Sequence, residues 1–456
     1  MTTPDQTGDQ PGAVAPVTQA ARIEALDVLR GVAVLGILMM NITAFGLLWQ
    51  AYSNPTVDGG ADGWNMTAYQ ITTVGFEGTM RGIFSLLFGA SVVLLTGRME
   101  QAGAGIMAAE IHFRRMLWML VFGVIHWSLL LWVGEILFAY SICGLVLFSL
   151  RKLTPRFQLG IAAGLLALSA LASYSGYQEG IETRAAAMAA QTAKAGGVEL
   201  TARQEKAIEA WQEEVSHSRP TAENAAEQRA WHEGSYPAAV AGQIGFAYEF
   251  QWVELPFFFL FDMMPFMLIG MALLKLGVIT GARSMRTYAA MAVVGYAIGI
   301  PLGVYELDLV LASNFAQLGF MQASTTYEFS RLAMVVGHLG VLLMAIRAGV
   351  FKPLQRALGA VGQMALSNYL AQTLICTALF YGFGFGLYSD LQRWQLYIVV
   401  GAIWVAQLIW SPLWLAAFRF GPFEWLWRSL TYWQRQPMRR GRGAAVGGEG
   451  AVVAAG

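Results

Sequence analysis

His126 and Glu135 stand nine residues apart in a chain that has only five histidines. The stretch between them is apolar and closes on Val133-Gly134, a sequence suited to a tight hairpin. A carboxylate held against an imidazole in such a hairpin can fix the ring, leaving its second nitrogen to take a proton from a hydroxyl or amine. The alternative is an interior histidine satisfied by a neighbouring helix carbonyl. Asn41, inside the first apolar segment, can donate a hydrogen bond to a developing oxyanion. His126, Glu135 and Asn41 are therefore the candidate catalytic residues.

Other polar groups in apolar surroundings are candidates to line a cavity, because ionisable side chains in a membrane segment are costly and face the bundle interior. Asp27 and Arg30 share one face of a helix. Arg30 could hold a phosphate of a cytosolic donor or simply flank a span. Glu77 and Arg81 form an i,i+4 pair of the favourable order, either at an outer cavity or as an interfacial ion pair. Asp262 lies in an apolar run three residues before Pro265, where a kinked helix would make a cavity wall. His338 sits in Gly337-His338-Leu339-Gly340, where small residues imply close helix packing. Asn368, Tyr369 and Gln372 stripe one helix face, as inter-helix hydrogen-bonding groups would. No His, Cys or carboxylate cluster has metal-ligand spacing, and no nucleotide-binding signature occurs. Cys143 and Cys376 fall in apolar runs and read as core residues.

The elements that must position these groups are membrane helices. Hydrophobic residues make up 56% of the 456 and charged residues 13%, against about 25% charged in a soluble domain. Net charge is zero, which gives no footing for a nucleic-acid partner. A span needs about 20 apolar residues, and about ten are found: 28–48, 79–97, 116–132, 136–150, 157–174, 252–274, 288–311, 331–346, 360–385 and 395–417. At about 1.5 Å per residue, His126 lies roughly 16 Å into its span. Placing the N-terminus inside puts 20 of the 29 Lys and Arg residues on inner segments, as the positive-inside rule requires. The expected fold is all-α: a polytopic membrane bundle with both termini cytosolic. It divides into a disordered tail (1–21), an N-terminal bundle of about five spans (22–174), an extracytosolic helical segment (175–247), a C-terminal bundle (248–435) and a second disordered tail (436–456). The outer segment is rich in Ala, Glu and Gln, which are helix formers, and is either a cap over the outer face or a spacer.

The tag Leu26-Asp27-Val28-Leu29-Arg30-Gly31 with Asn41-Ile42 resembles the YeiB-type family of bacterial inner-membrane proteins. So do Phe84-Ser85-Leu86-Leu87-Phe88-Gly89, Trp132-Val133-Gly134-Glu135-Ile136-Leu137, Ala365-Leu366-Ser367-Asn368-Tyr369 and Phe420-Gly421-Pro422-Phe423-Glu424-Trp425. The resemblance implies a multi-pass protein of the bacterial inner (plasma) membrane. More distantly, the first-span tag is similar to that of a transmembrane acyltransferase superfamily, which includes the lysosomal heparan-glucosaminide N-acetyltransferase and bacterial sugar O-acetylases. That similarity implies acyl transfer from cytosolic acyl-CoA to a membrane or extracytosolic acceptor, with no permanently bound cofactor. The expected partners are the lipid bilayer, acyl-CoA and a lipid or sugar acceptor, with room for a homodimer. Two departures stand out. Asn41 replaces the histidine of the O-acetylases, and residues 42–78 contain no histidine, so His126 would have to be the base. The alternative is a transporter or lipid-handling protein with a polar midplane cavity, in which His126, His338 and Asp262 line the path.

Overall fold

The computed structural model describes residues 24–254 and 259–440. The fold is an all-α membrane helix bundle; among the described residues the only β contact is an isolated bridge between Phe418 and Arg439. The first half comprises α1 (Glu24–Gly46), α2 (Gly63–Gly75), α3 (Thr79–Gln101), α4 (Met107–Ser128), α5 (Leu137–Leu150) and α6 (Pro155–Ala195). Three outer helices follow: α7 (Ala202–Ser218), α8 (Ala222–Glu233) and α9 (Tyr236–Glu249). The second half comprises α10 (Met264–Lys275), α11 (Met285–Ala312), α12 (Gln317–Ala348), α13 (Lys352–Gln363), α14 (Ala365–Phe380), α15 (Arg393–Ala417) and α16 (Pro422–Tyr432).

Among the described residues, six helical stretches are long and apolar enough to cross a membrane: Glu24–Gly46, Gly63–Gln101, Pro155–Ala195, Met285–Ala312, Gln317–Ala348 and Arg393–Ala417. The other four expected spans fall on α4, α5, α10 and α14. Of these, α5, α10 and α14 are short because they are enclosed by other helices and need not border lipid along their whole length.

Three local readings change. The boundary expected at 174 falls inside α6, whose 41 residues run from the membrane into the outer segment. Ala-rich sequence propagates the helix until Gly196-Gly197. Pro265 does not kink a continuous span. It sits in the first turn of α10, where its missing N–H costs nothing, and the chain before it, Phe259–Met263, is π-helical. The C-terminal tail begins later than 436: Met438 and Arg440 are tied by backbone hydrogen bonds to Arg419 and Ala417. The tail reading for 1–21 lies outside the described residues, as does that for 441–456.

Glycine sets the helix crossings. A Cβ at Gly89 would overlap the Met267 carbonyl, and one at Gly270 would overlap that of Leu86, so α3 and α10 meet backbone to backbone. Gly31 and Gly362 do the same for α1 and α13. Gly295 and Gly337 join α11 to α12, which is the close packing expected around His338. Cys143 and Cys376 are buried, free thiols.

Candidate functional site

Between α4 and α5 the chain turns through residues 129–136. Glu135 lies two residues before α5, and its carboxylate accepts from the backbone N–H groups of Leu137 and of Phe138 (2.9 Å). These are donors that the first turn of a helix leaves without intrahelical partners, and a negative charge there is favoured by the helix dipole. Gly123, on α4, faces this cap, where a Cβ would meet Phe138 N and Glu135 Oε2. One turn further along α4, His126 brings Nδ1 to 3.5 Å from Glu135 Oε1. Its Nε2 is 2.8 Å from the Thr373 hydroxyl on α14. Both His126 and Glu135 are fully buried. Hydroxyl, imidazole and carboxylate thus line up in the order of an activated-nucleophile arrangement.

The surrounding groups fix this line. Trp132 stacks on Phe45 at 3.9 Å and donates its indole N–H to Tyr369 (3.1 Å). Tyr369 meets the edge of His126 at 5.0 Å. From the outer side, Gln251 donates to the Val133 carbonyl (2.9 Å), Gln243 to that of Leu131 (3.2 Å) and Tyr236 to that of Leu129 (2.7 Å). The outer segment is therefore a roof on the hairpin tip, not a spacer.

Three cavities border the same eight-residue turn and its helix start. The largest, about 240 Å³, opens among Asp27, Arg30, Arg98, Arg115 and Arg428 at the end carrying the basic loops, and reaches Leu137, Tyr140 and Tyr369. Along α3 it runs from Arg98 to Phe84, about 21 Å at the rise of ~1.5 Å per residue. A second, about 50 Å³, lies on the outer side between Asn41, Tyr52 and Arg81 and is closed by Gly134 and Ile136. A third, about 20 Å³, is roofed by Trp231 and His232 above Leu131, Trp132 and Val133. It has room for about one water molecule.

The remaining predicted residues fall into separate groups. Arg30 pairs with Asp27 (3.0 Å) and with the Ser91 hydroxyl (3.1 Å) at the inner cavity. Asn41 faces the outer cavity. Arg81 reaches across the bundle to Asp262 in a two-pronged ion pair (2.8 and 3.0 Å), while Glu77 accepts from Tyr52 (2.5 Å) and Tyr327 (3.1 Å). His338 binds the Gly75 carbonyl (3.0 Å), a partner it does not share with His126. Asn368 is held by Val361 and Ser411, and Gln372 by Val34 and Gln407, all inter-helix or inter-segment hydrogen bonds.

The sequence reading missed Thr373, Arg331, Arg115 and His112. Arg331 closes on Asp262 and on Glu328 (2.6 Å) in a fully buried network; an arginine beside a carboxylate on a predicted span was the available signal. His112 lines the inner cavity, binds the Gly144 carbonyl through Nε2 (2.8 Å) and keeps Nδ1 buried without a partner. Thr373 gave no signal, since threonine is common in membrane helices.

Comparison with known proteins fits the segments that suggested a family. A family model described as a protein of unknown function (DUF418) matches residues 273–434. The uncharacterised protein YeiB of Escherichia coli strain K12 is 31% identical over 427 residues, covering 89% of this chain and 95% of that protein. The chain belongs to the YeiB family. The uncharacterised protein YxaH of Bacillus subtilis strain 168 is 28% identical over 445 residues, covering 93% of this chain and 98% of its own length. No solved structure matches. At 89% coverage of this chain, the YeiB relationship spans both halves of the bundle and the roof between them, the hairpin included.

Proposed function

We propose that this YeiB-family chain is an acyltransferase of the bacterial inner membrane, taking an acyl group from cytosolic acyl-CoA and passing it to a lipid or extracytosolic acceptor. The observation that carries the reading is the placement of Glu135 and His126. Glu135 lies in the turn whose Gly134 and Ile136 close an outer cavity, next to Leu137, which borders an inner one, and His126 faces it from α4. His126 is buried between the two cavities' linings and lines neither, so a donor from one side and an acceptor from the other would meet at the turn beside it, the acceptor displacing Thr373 from Nε2. The inner mouth suits the donor: Arg30, Arg98, Arg115 and Arg428 outnumber Asp27 and Glu424 there, and arginine is well matched to phosphate. The apolar depth behind them suits a thioester-linked chain.

In the reaction the acceptor hydroxyl takes the position on His126 Nε2 that Thr373 fills. Its proton passes to the imidazole as its oxygen bonds the acyl carbon. The carbon–sulfur bond then breaks, and the imidazolium returns the proton to the departing CoA thiolate. Glu135 orients the ring and stabilises the imidazolium. Asn41 is the candidate donor to the oxyanion from the outer side.

The test is calorimetric titration of the detergent-purified protein with acetyl-CoA and longer acyl-CoA. Saturable binding is expected, weakened about tenfold by Arg30→Ala through loss of a charge-assisted contact and unchanged in His126→Ala. Absence of binding by folded protein would discard acyl transfer and move the weight to transport or lipid handling.

A further inference from the structure

We infer that the groove between α14, α15 and α16 is a specific site for an anionic phospholipid of the cytosolic leaflet, independent of acyl transfer. The groove has a volume of about 510 Å³ and is lined mainly by apolar side chains, among them Ala371, Leu374, Leu413, Trp414 and Phe418. Leu413 and Leu374 are 68% and 47% exposed, on faces that border lipid. Its walls are rigid: Trp410 donates to Asn368 (2.8 Å), Trp414 donates to the Phe420 carbonyl (2.9 Å), and Trp414 stacks on Phe418 at 4.3 Å. Along α15 it runs from Trp410 to Phe418, about 12 Å at ~1.5 Å per residue, a length suited to part of one acyl chain.

The second observation is at the groove's inner end. The chain after α16 folds back on the chain after α15: Arg419 N–H donates to Met438 (2.9 Å), Arg440 N–H donates to Ala417 (3.1 Å), and Phe418 and Arg439 form the antiparallel bridge. This strap brings Arg419, Arg439 and Arg440 together. Directly opposed residues of an antiparallel pair leave on the same face and successive residues on opposite faces. Arg439 therefore emerges beside Phe418, a wall of the groove, while Arg419 and Arg440 leave on the strap's other face, where Arg440 Nε donates to the Phe418 carbonyl (3.3 Å). Among the described residues none of the three arginines has a carboxylate at ion-pair distance. An apolar slot in the bilayer with the Arg439 guanidinium at its inner end, and two further arginines on the same strap, is complementary to a phospholipid with net negative charge.

The experiment uses the full-length protein in nanodiscs of dioleoylphosphatidylcholine with and without dioleoylphosphatidylglycerol. Phosphatidylglycerol is expected to raise Tm by about 3 °C, as a ligand bound only by the folded state does. Native mass spectrometry is expected to retain one phosphatidylglycerol in preference to phosphatidylcholine. Arg419→Gln/Arg439→Gln should erase both preferences without changing Tm in phosphatidylcholine, Arg440 being kept because its Nε donates to the Phe418 carbonyl; the single Arg439→Gln serves if the double variant folds poorly. Ala371→Phe, which fills the groove, should reduce retention with the arginines intact. Equal retention of the two lipids, a preference that survives the arginine changes, or a full shift from glycerol 3-phosphate alone would overturn the inference.

Discussion

Two buried carboxylates, Glu135 and Asp262, each face a basic side chain inside the bundle. Glu135 satisfies two backbone donors at the start of α5 and faces His126. Glu135→Ala should lower stability by about 2–3 kcal/mol, because it orphans buried N–H groups, read as a fall in Tm in detergent. Glu135→Gln keeps an acceptor for the cap but not the charge beside the imidazole. It should lose most acyl transfer while losing less stability, a split that separates the chemical role from the structural one. Asp262 joins Arg81 to Arg331, and Arg331 is fully buried. Removing one partner of a buried ion pair costs about 3–5 kcal/mol, so Asp262→Ala should express poorly or melt far below wild type. A double variant in which Arg331 also becomes Met should recover part of that loss, measured as a double-mutant cycle.

At the scale of elements, the bundle depends on backbone approach more than on side-chain bulk. Gly89 and Gly270 press against each other's helices at the carbonyls of Met267 and Leu86. Gly89→Ala or Gly270→Ala must push α3 and α10 apart, at a cost of about 1–3 kcal/mol. Gly97→Ala lies on the same helix as Gly89 with open space around it. It should leave Tm unchanged or raise it slightly, since alanine is the better helix former. The pair of thermal melts tells crossing geometry from helix propensity. The short helices α5 and α14 follow from the same packing: α14 carries Thr373 and Tyr369, which meet His126, and the start of α5 donates the N–H groups that hold Glu135 against it.

For the whole molecule, the roof is the element that responds to pH. His232 stacks on Tyr388 at 3.8 Å and its carbonyl receives the Gly382 N–H, holding α8 against the bundle. Burial pushes its imidazole down from 6.5 to about 4. Between those values the undocked roof binds a proton that the docked roof does not. Docking is therefore at full strength above about pH 6.5 and is lost as pH falls toward 4, by up to about 3 kcal/mol. Limited proteolysis of residues 202–235 should accelerate from pH 7.5 to pH 5. His232→Phe, which keeps the stack and removes the titration, should flatten that dependence.

Composition and apolar run length determined that the chain is a helical membrane bundle, because lipid forces every backbone polar group into internal hydrogen bonds and helices satisfy that locally. The placement of Lys and Arg led to an expected orientation with both ends in the cytosol, and the spacing of His126 and Glu135 across a Gly-containing turn was enough to expect them together. Those signals are local. Only the tertiary structure decided that Thr373 is the hydroxyl on His126, that Arg81 answers to Asp262 across the bundle, and that the roof closes over the hairpin. Each of those contacts joins residues more than 100 positions apart. Neither helical period nor span length encodes such a pairing; it is fixed by where glycines let helices touch and which buried polar groups are left to satisfy one another.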